Sequence, residues 1–147
     1  MVTVFYADTS AVVGAYLSDE ADHVQLRNLL IDGGHLVLTS ELTRLECASA
    51  FTAANRTGRI PDAREFLTQF DRDTRTVLGV IPLAPHRIFP AARRLVTENH
   101  PVRTLDAIHI AVAMHDTAEL TGGEPVTFVT RDERQAEAAK ANGFEVL

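Results

Sequence analysis

The sequence has very little cysteine, and this scarcity excludes several kinds of site and fold. One cysteine, Cys47, is present among 147 residues. A single cysteine cannot form an internal disulfide, and a zinc site built from several cysteines is excluded as well. No apolar stretch approaches the ~18 residues that span a bilayer, and the N-terminus has no basic residues before its short apolar run. We therefore expect a cytoplasmic protein with no signal peptide and no membrane partner.

Positive charge is also scarce. The chain has 14 Lys and Arg against 20 Asp and Glu, which gives a net charge of −6 at pH 7. Proteins that coat nucleic acid need a basic surface, so this balance argues against that class. An enzyme that acts on nucleic acid is still compatible, because an acidic site can carry much of the negative charge. Lys140 is the one lysine, and arginine can contact phosphate in a bidentate way that lysine cannot.

The chain has no linker, internal repeat or low-complexity tract, and we predict a single domain over residues 1–147. Short apolar runs predict five strands, at Val2–Ala7, His35–Thr39, Val80–Leu83, Val126–Thr130 and Phe144–Leu147. Helices are predicted between them, over Ser10–Leu17, Asp22–Asp32, Glu41–Arg56, Pro61–Thr76, His86–Asn99, Thr104–Leu120 and Asp132–Asn142. This alternation indicates an α/β fold with a parallel sheet that is covered on both faces.

Four carboxylates stand at positions where a carboxylate requires an explanation. Asp8 ends the first predicted strand in FYADTSAVVG, and Asp132 follows the fourth strand in FVTRDERQ. Glu46 lies on the apolar stripe of the predicted helix Glu41–Arg56, and Asp106 lies in the first turn of the apolar helix in RTLDAIHIAVA. Each acid has an ordinary structural alternative. Asp8 and Asp132 could cap helices, Asp106 could interact with the helix dipole, and Glu46 could pair with an arginine or reach the rim.

These alternatives do not explain why the first and fourth strands both end in acids. In open parallel sheets, ligands gather outside the carboxyl ends of the strands, so the acids are expected to share one pocket there. Two carboxylates ~4 Å apart repel by about 4 kcal/mol at an effective dielectric constant of about 20, so such a cluster requires a cation or protonation. Oxygen ligands suit Mg²⁺ or Mn²⁺. The four acids therefore predict metal-dependent hydrolysis of phosphodiester bonds.

The motifs around these acids resemble those of the PIN-domain ribonucleases, and more narrowly those of the VapC-type toxins of bacterial toxin–antitoxin pairs. The resemblance covers essentially the whole chain, and RTLDAIHIAVA is its most specific part. YADTSAVV, SELTRLECASA and VTRDERQAEAAKANGFEVL resemble the other motifs of the family. The resemblance implies a three-layer α/β/α sandwich with a central, mainly parallel sheet. It aligns Asp8, Glu46, Asp106 and Asp132 with the acids that are metal ligands and catalytic residues in the family.

The resemblance also implies an activity and partners. It indicates a Mg²⁺- or Mn²⁺-dependent endoribonuclease that forms a homodimer and is inhibited by a cognate VapB-type antitoxin. Thr9, Ser10 and Thr130 lie beside the acids and are expected to orient them by hydrogen bonds. Because the rest of the surface is mildly acidic, RNA must be held by a local arginine patch. Arg103 and Arg131 lie next to the motifs and are the expected RNA contacts.

Other protein classes fit the sequence less well. A haloacid-dehalogenase phosphatase needs a second acid two residues after the first, where this chain has Ser10, and no Gly-x-Gly-x-x-Gly follows a strand. A response-regulator receiver needs a lysine near the end of its last strand, whereas Lys140 falls in a predicted helix. His109 and His115 do not have the spacing of metal ligands and are predicted to lie in the core or at its rim. A PIN-fold DNA or structure-specific nuclease and a non-catalytic PIN-like binding module are the alternatives.

Overall fold

The structure is a computed structural model that describes residues 3–98 and 101–147, and within these ranges a parallel sheet forms the centre. The strands are β1 (Val4–Ala7), β2 (Leu36–Ser40), β3 (Leu78–Ile81), β4 (Val126–Val129) and β5 (Glu145–Val146). Their order across the sheet is β3-β2-β1-β4-β5, and every neighbouring pair is parallel. All carboxyl ends of the strands therefore point to the same edge of the sheet.

The helices cover both faces of the sheet. They are α1 (Thr9–Tyr16), α2 (His23–Arg27), a π-helical turn (Asn28–Asp32), α3 (Glu41–Arg56), α4 (Ala63–Thr76), α5 (Pro85–Thr97), α6 (Thr104–His115), α7 (Ala118–Thr121) and α8 (Glu133–Ala141). Side chains of β1 alternate between the two faces: Phe5 packs with α1–α4, and Tyr6 packs with α5, α6 and α8. The predicted three-layer α/β/α arrangement is confirmed. None of the described helices combines the length and the apolar character needed to cross a membrane.

The junctions after the strands place the predicted acids. Asp8 directly follows β1 and caps α1, because its carboxylate accepts a hydrogen bond from the Ala11 backbone nitrogen at 3.1 Å. Ser40 ends β2 and caps α3 in the same way, through the nitrogen of Leu42. Asp132 follows β4 and caps α8. Three strand-to-helix junctions thus meet at the carboxyl edge of the sheet.

Most predicted elements are present with small shifts at their ends, and α3 has the predicted bounds. Val2 and Asn99, which are predicted ends of two elements, lie outside the described residues. The third strand is Leu78–Ile81 rather than Val80–Leu83, because Pro82 ends it and the Leu83 nitrogen donates to the Glu41 carboxylate at 2.6 Å.

Three helix predictions are wrong in detail. Pro61 is not the first residue of α4, because Asp62 caps that helix through the backbone nitrogen of Arg64. The predicted helix Asp22–Asp32 changes from α to π geometry after Arg27. The predicted helix Thr104–Leu120 ends at His115, and a separate short helix follows. The break occurs where Asp116 turns inward to an ion pair, described below, and where the Thr117 hydroxyl donates to the Ala113 carbonyl.

Candidate active site

Asp8 is the most deeply buried of the four predicted acids, with 3% of its surface exposed. Its Oδ1 accepts hydrogen bonds from Ser10 Oγ at 2.7 Å and from the Ala11 nitrogen, and its Oδ2 accepts from Thr130 Oγ1 at 2.6 Å. Burial raises the pKa of Asp8, and this effect outweighs the hydrogen bonds and the nearby His109, which act to lower that pKa. A nearby cation would stabilise this buried carboxylate in its ionised form.

Glu46 projects from the second turn of α3 toward the same region. Its Oε1 accepts a hydrogen bond from Thr9 Oγ1 at 2.6 Å and lies 2.8 Å from Nε2 of His109. Burial alone would raise the pKa of Glu46, but the hydrogen bonds with His109 and Thr9 outweigh it and the pKa is lowered. Glu46 is therefore an anion that is held in one orientation through one of its two oxygens.

His109 connects this carboxylate to the centre of the sheet. The side chain is buried, and its Nδ1 lies 2.8 Å from the hydroxyl of Tyr6 in β1. An ionised carboxylate can only accept, so Nε2 donates to Glu46, and in the neutral ring Nδ1 accepts from Tyr6. Burial, followed by the charges of Asp8 and Glu46, raises the pKa of Tyr6 well above its ordinary value, so the hydroxyl keeps its proton.

His109 is the site residue that sequence reasoning missed. The prediction that it lies in the core or at its rim is confirmed by its burial, but the ring also binds one of the predicted site acids. The one available signal was spacing, since His109 lies three residues after Asp106 and residues at i and i+3 share a helix face.

Arg103 connects the two other acids. Its Nε lies 3.1 Å from Oδ2 of Asp106, and its terminal nitrogen lies 2.8 Å from Oδ2 of Asp132. The hydrogen bond and charge of Asp106, together with the charge of Asp132, raise the pKa of Arg103. Arg103, which is predicted to contact RNA, is therefore paired with two of the predicted site acids.

Asp132 has a structural role as well. Its Oδ1 accepts from the nitrogens of Arg134 and Gln135, at 2.9 and 3.1 Å, and caps α8. The capping alternative is thus correct for Asp132, as it is for Asp8, but capping leaves Oδ2 of Asp132 for Arg103. The Gln135 side chain does not return to the cap. It donates to the Asp106 backbone carbonyl at 3.1 Å and fixes the start of α6 against α8.

The predicted orienting hydroxyls bind the acids in two hydrogen-bonded groups that adjoin in the chain at Asp8 and Thr9. Thr130 Oγ1 donates to Asp8 and accepts from the Asp132 nitrogen at 3.1 Å. Ser10 Oγ donates to Asp8 and accepts from the Arg131 nitrogen at 2.9 Å. Thr9, next to Asp8 in the chain, donates to Glu46. The Arg131 guanidinium points elsewhere and lies 3.5 Å from Asp22.

The donor chemistry of these residues fits a hard divalent cation, because four carboxylates lie toward the carboxyl edge of the sheet and oxygen ligands suit such ions. Within residues 3–98 and 101–147, however, no three His, Cys, Asp or Glu side chains are gathered closely enough to hold a metal ion. Instead of a metal ion, the Arg103 guanidinium supplies the positive charge that pairs with Asp106 and Asp132. The four acids fit a cation because their ligand atoms are carboxylate oxygens and because they lie toward the carboxyl edge of the sheet. Arg103 supplies positive charge to two of them.

Comparison with known proteins identifies the family and the fold. The family model of the PIN domain matches residues 5–141. The VapC20 structure from Mycobacterium tuberculosis, a sarcin-ricin loop cleaving toxin, is 20% identical over 97% of this chain and 96% of that chain, with a TM-score of 0.65. VapBC2 from Rickettsia felis, bound to a DNA fragment from their promoter, is 12% identical over 99% and 98%, with a TM-score of 0.62.

A third structure, a toxin–antitoxin complex from Klebsiella pneumoniae, is 17% identical over 87% of this chain and 86% of that chain, with a TM-score of 0.52. No curated protein matches the chain in sequence. At these identities, the solved structures show that the fold is shared.

Proposed function

The chain belongs to the PIN domain family, and from this membership we propose that it is a metal-dependent endoribonuclease toxin of a type II toxin–antitoxin pair. The observation that carries the proposal is the placement of four acids at the carboxyl edge of a parallel sheet. Asp8, Asp106 and Asp132 belong to one network through Thr130 and Arg103, and Glu46 is bound by Thr9, the residue after Asp8. Two structures of the same fold, described as toxins or toxin–antitoxin assemblies, support the narrower assignment.

The four acids would hold Mg²⁺ or Mn²⁺. When bound, the cation supplies a polarised phosphate, an activated water and stabilisation of the leaving oxygen. The chain's own residues set the orientation of the ligands. Thr130 and Ser10 fix both oxygens of Asp8, and Thr9 with His109 fixes Oε1 of Glu46. Such partners reduce the reorganisation that binding requires.

The site also has a direction of approach for a substrate. Asp8 forms its buried floor, while Glu46, Asp106 and Asp132 keep 20–29% of their side-chain surface exposed. A phosphate can therefore reach the three outer acids from solvent. With a net charge of −6, the protein needs local positive charge to hold RNA. Arg103 would supply it at the rim of the site, and Arg131 would contribute only after it leaves its ion pair with Asp22.

The proposal extends to partners and location. A cognate VapB-type antitoxin would neutralise the protein, which would act as a homodimer in the cytoplasm. The structural neighbours that are toxin–antitoxin assemblies support an antitoxin partner. Exposed apolar side chains on α3, α5 and the start of α6 are available for such interfaces, at Leu45, Phe89 and Leu105.

The test is cleavage of structured RNA, including tRNA and a fragment with the sarcin–ricin loop, by the purified protein in Mg²⁺, Mn²⁺ or EDTA. We expect cleavage with either metal and none in EDTA. Asp106→Asn should reduce the rate by orders of magnitude. Asp71→Asn is the matched control, because Asp71 is a surface acid of α4 that pairs with Arg44. Equal cleavage in EDTA would contradict the metal mechanism.

Two further outcomes of this assay identify the alternatives. Cleavage of DNA but of no RNA would favour a DNA or structure-specific nuclease. Binding of nucleic acid or antitoxin without cleavage of any substrate would favour a non-catalytic binding module.

A further inference from the structure

Arg103 occupies an unusual position for a residue expected to bind RNA. One guanidinium contacts two different carboxylates through two different nitrogens, and in both cases the acceptor is Oδ2. Within the described ranges, neither Asp106 nor Asp132 has another ion-pair partner. The same residues include no ready group of three metal ligands. The positive charge beside these two acids is therefore that of the Arg103 guanidinium.

We propose that Arg103 is a displaceable counter-ion of the metal site. It neutralises Asp106 and Asp132 while no cation is bound, and it leaves both carboxylates when a divalent cation binds. Its guanidinium is then available for a phosphate of the RNA. This inference rests on the proposed function, because it takes both acids as metal ligands.

Electrostatics makes the two states compete. A carboxylate oxygen that binds Mg²⁺ lies about 2.0–2.1 Å from the metal, so a guanidinium on the same oxygen would face a double positive charge at close range. Oδ1 of Asp132 cannot replace Oδ2 freely, because it accepts two backbone hydrogen bonds in the cap of α8. Metal binding through Asp132 therefore competes directly with Arg103.

The surroundings of Arg103 allow the movement. Its side chain is 63% exposed, and it precedes α6 at the N-cap position in extended backbone. Exposed ion pairs contribute little to stability, so the arginine can leave at low cost. After the guanidinium leaves the two acids, it remains near the site, because Arg103 lies three positions before Asp106 at the rim where a phosphate would approach.

The first experiment measures Mn²⁺ binding by calorimetry in wild type, Arg103→Gln and Arg134→Gln. Removing the competitor should tighten binding roughly three- to tenfold in Arg103→Gln. Arg134→Gln controls for loss of a positive charge near the site, because Arg134 lies two residues from Asp132 and forms no side-chain ion pair among the described residues. Equal tightening in both variants, or none in Arg103→Gln, would overturn the proposal.

The second experiment observes the arginine itself. In ¹⁵N-labelled full-length protein, the Nε–H signal of Arg103, assigned by its loss in Arg103→Gln, should exchange slowly without metal and lose this protection in saturating Mg²⁺. Retained protection alongside measured metal binding would overturn the counter-ion proposal and leave the proposed function intact. If wild type and variants bind neither Mn²⁺ nor Mg²⁺, both proposals fail.

Kinetics supplies the last discriminating result. Arg103→Gln should raise KM for RNA at saturating Mn²⁺ although the variant binds the metal more tightly. The reason is that the variant has no guanidinium to contact the phosphate. An unchanged KM would overturn the second part of the inference.

Discussion

Nε2 of His109 lies 2.8 Å from Oε1 of Glu46, so α6 fixes the orientation of a carboxylate that α3 carries. The opposite nitrogen of the same ring binds Tyr6 in β1. Three elements that are distant in the chain are thus joined by two consecutive hydrogen bonds. A carboxylate held in this way has little freedom to rotate away from its neighbours.

Tyr6→Phe tests this connection with the loss of one oxygen atom. The buried Nδ1 of His109 loses its partner, so we expect a loss of about 1–3 kcal/mol in the free energy of unfolding. The less constrained ring should also lower RNA cleavage roughly 10- to 100-fold, the usual effect of removing a group that orients a metal ligand. Urea unfolding and initial rates of cleavage measure the two effects.

Tyr16→Phe is the matched control for that experiment. The Tyr16 hydroxyl is likewise bound to a buried polar side chain, here Asp73, and Asp73 keeps a second hydrogen bond from Gln69 at 3.0 Å. This variant should lose stability but keep its cleavage rate. An equal loss of activity in both tyrosine variants would attribute the effect to stability and not to Glu46.

Asp8→Asn should change how stability depends on pH. Because burial raises the folded-state pKa of Asp8 above its unfolded value, the folded state binds the proton more tightly. The metal-free wild type therefore loses stability as pH rises from the unfolded pKa through the folded pKa, by about 1.4 kcal/mol for each unit between them. Asparagine does not titrate. The stability of Asp8→Asn relative to wild type should therefore increase with pH.

Urea unfolding of metal-free protein at several pH values measures this difference. Glu46, whose lowered pKa has the opposite effect, is present in both proteins, so its contribution largely cancels. A difference that stays flat, or that decreases as pH rises, would contradict the raised pKa of the buried Asp8 carboxyl.

Asp106→Asn should separate a metal ligand from an ordinary acid in the first turn of a helix. We expect a small change in melting temperature in EDTA, because the ion pair that it loses is exposed. Wild type should gain about 2.7 kcal/mol at a Mn²⁺ concentration a hundred times the dissociation constant, and the variant should lose most of this gain. A variant that Mn²⁺ stabilises as much as wild type would remove Asp106 from the ligands.

The ion pair at the other end of α6 should affect stability alone. Asp116 has 3% of its side chain exposed, and Nε of Arg87 lies 2.8 Å from its Oδ1, without hydrogen-bond geometry at either oxygen. Arg87→Leu leaves the buried charge without compensation, and we expect a loss of about 1–3 kcal/mol. Ten residues of helix, roughly 15 Å, separate Asp116 from Asp106, so cleavage per folded molecule should not change.

Arg93→Leu is the control for this prediction, since Arg93 lies on the same helix and forms no side-chain ion pair in the part of the chain that the structure describes. Its stability should stay within about 0.5 kcal/mol of wild type. Equal losses in the two variants would show that Asp116 does not depend on Arg87.

The sequence predicts the features that depend on neighbours along the chain. Asp8 and Asp132 follow apolar runs that can be recognised as strands, and parallel order brings the carboxyl ends of strands to one edge. The limits of α3 are equally local, because Ser40 supplies a cap and Gly58, with φ of 78°, follows the end of the helix. These features need no knowledge of distant contacts.

The features that the sequence does not predict are those that depend on distant contacts. Nothing near His109 in the chain indicates that Tyr6 and Glu46 lie on either side of its ring. The sequence predicts only an RNA contact for Arg103, because the ion pair with Asp132 joins residues that are 29 positions apart in the chain. The break after His115 depends in the same way on an arginine in α5.

The position of β4 determines when the environment of Asp8 can be completed during synthesis. β4 pairs with β1 from Val4–Val126 to Ala7–Val129, and the residue after it, Thr130, holds Asp8 in place. A nascent chain without these residues has a first strand that is open on one side and an Asp8 that lacks this hydrogen bond. Because synthesis proceeds from the N-terminus, β4 and Thr130 become available long after β1 and Asp8 have been made. The proposed nuclease site is therefore incomplete in a nascent chain until Thr130 has left the ribosome.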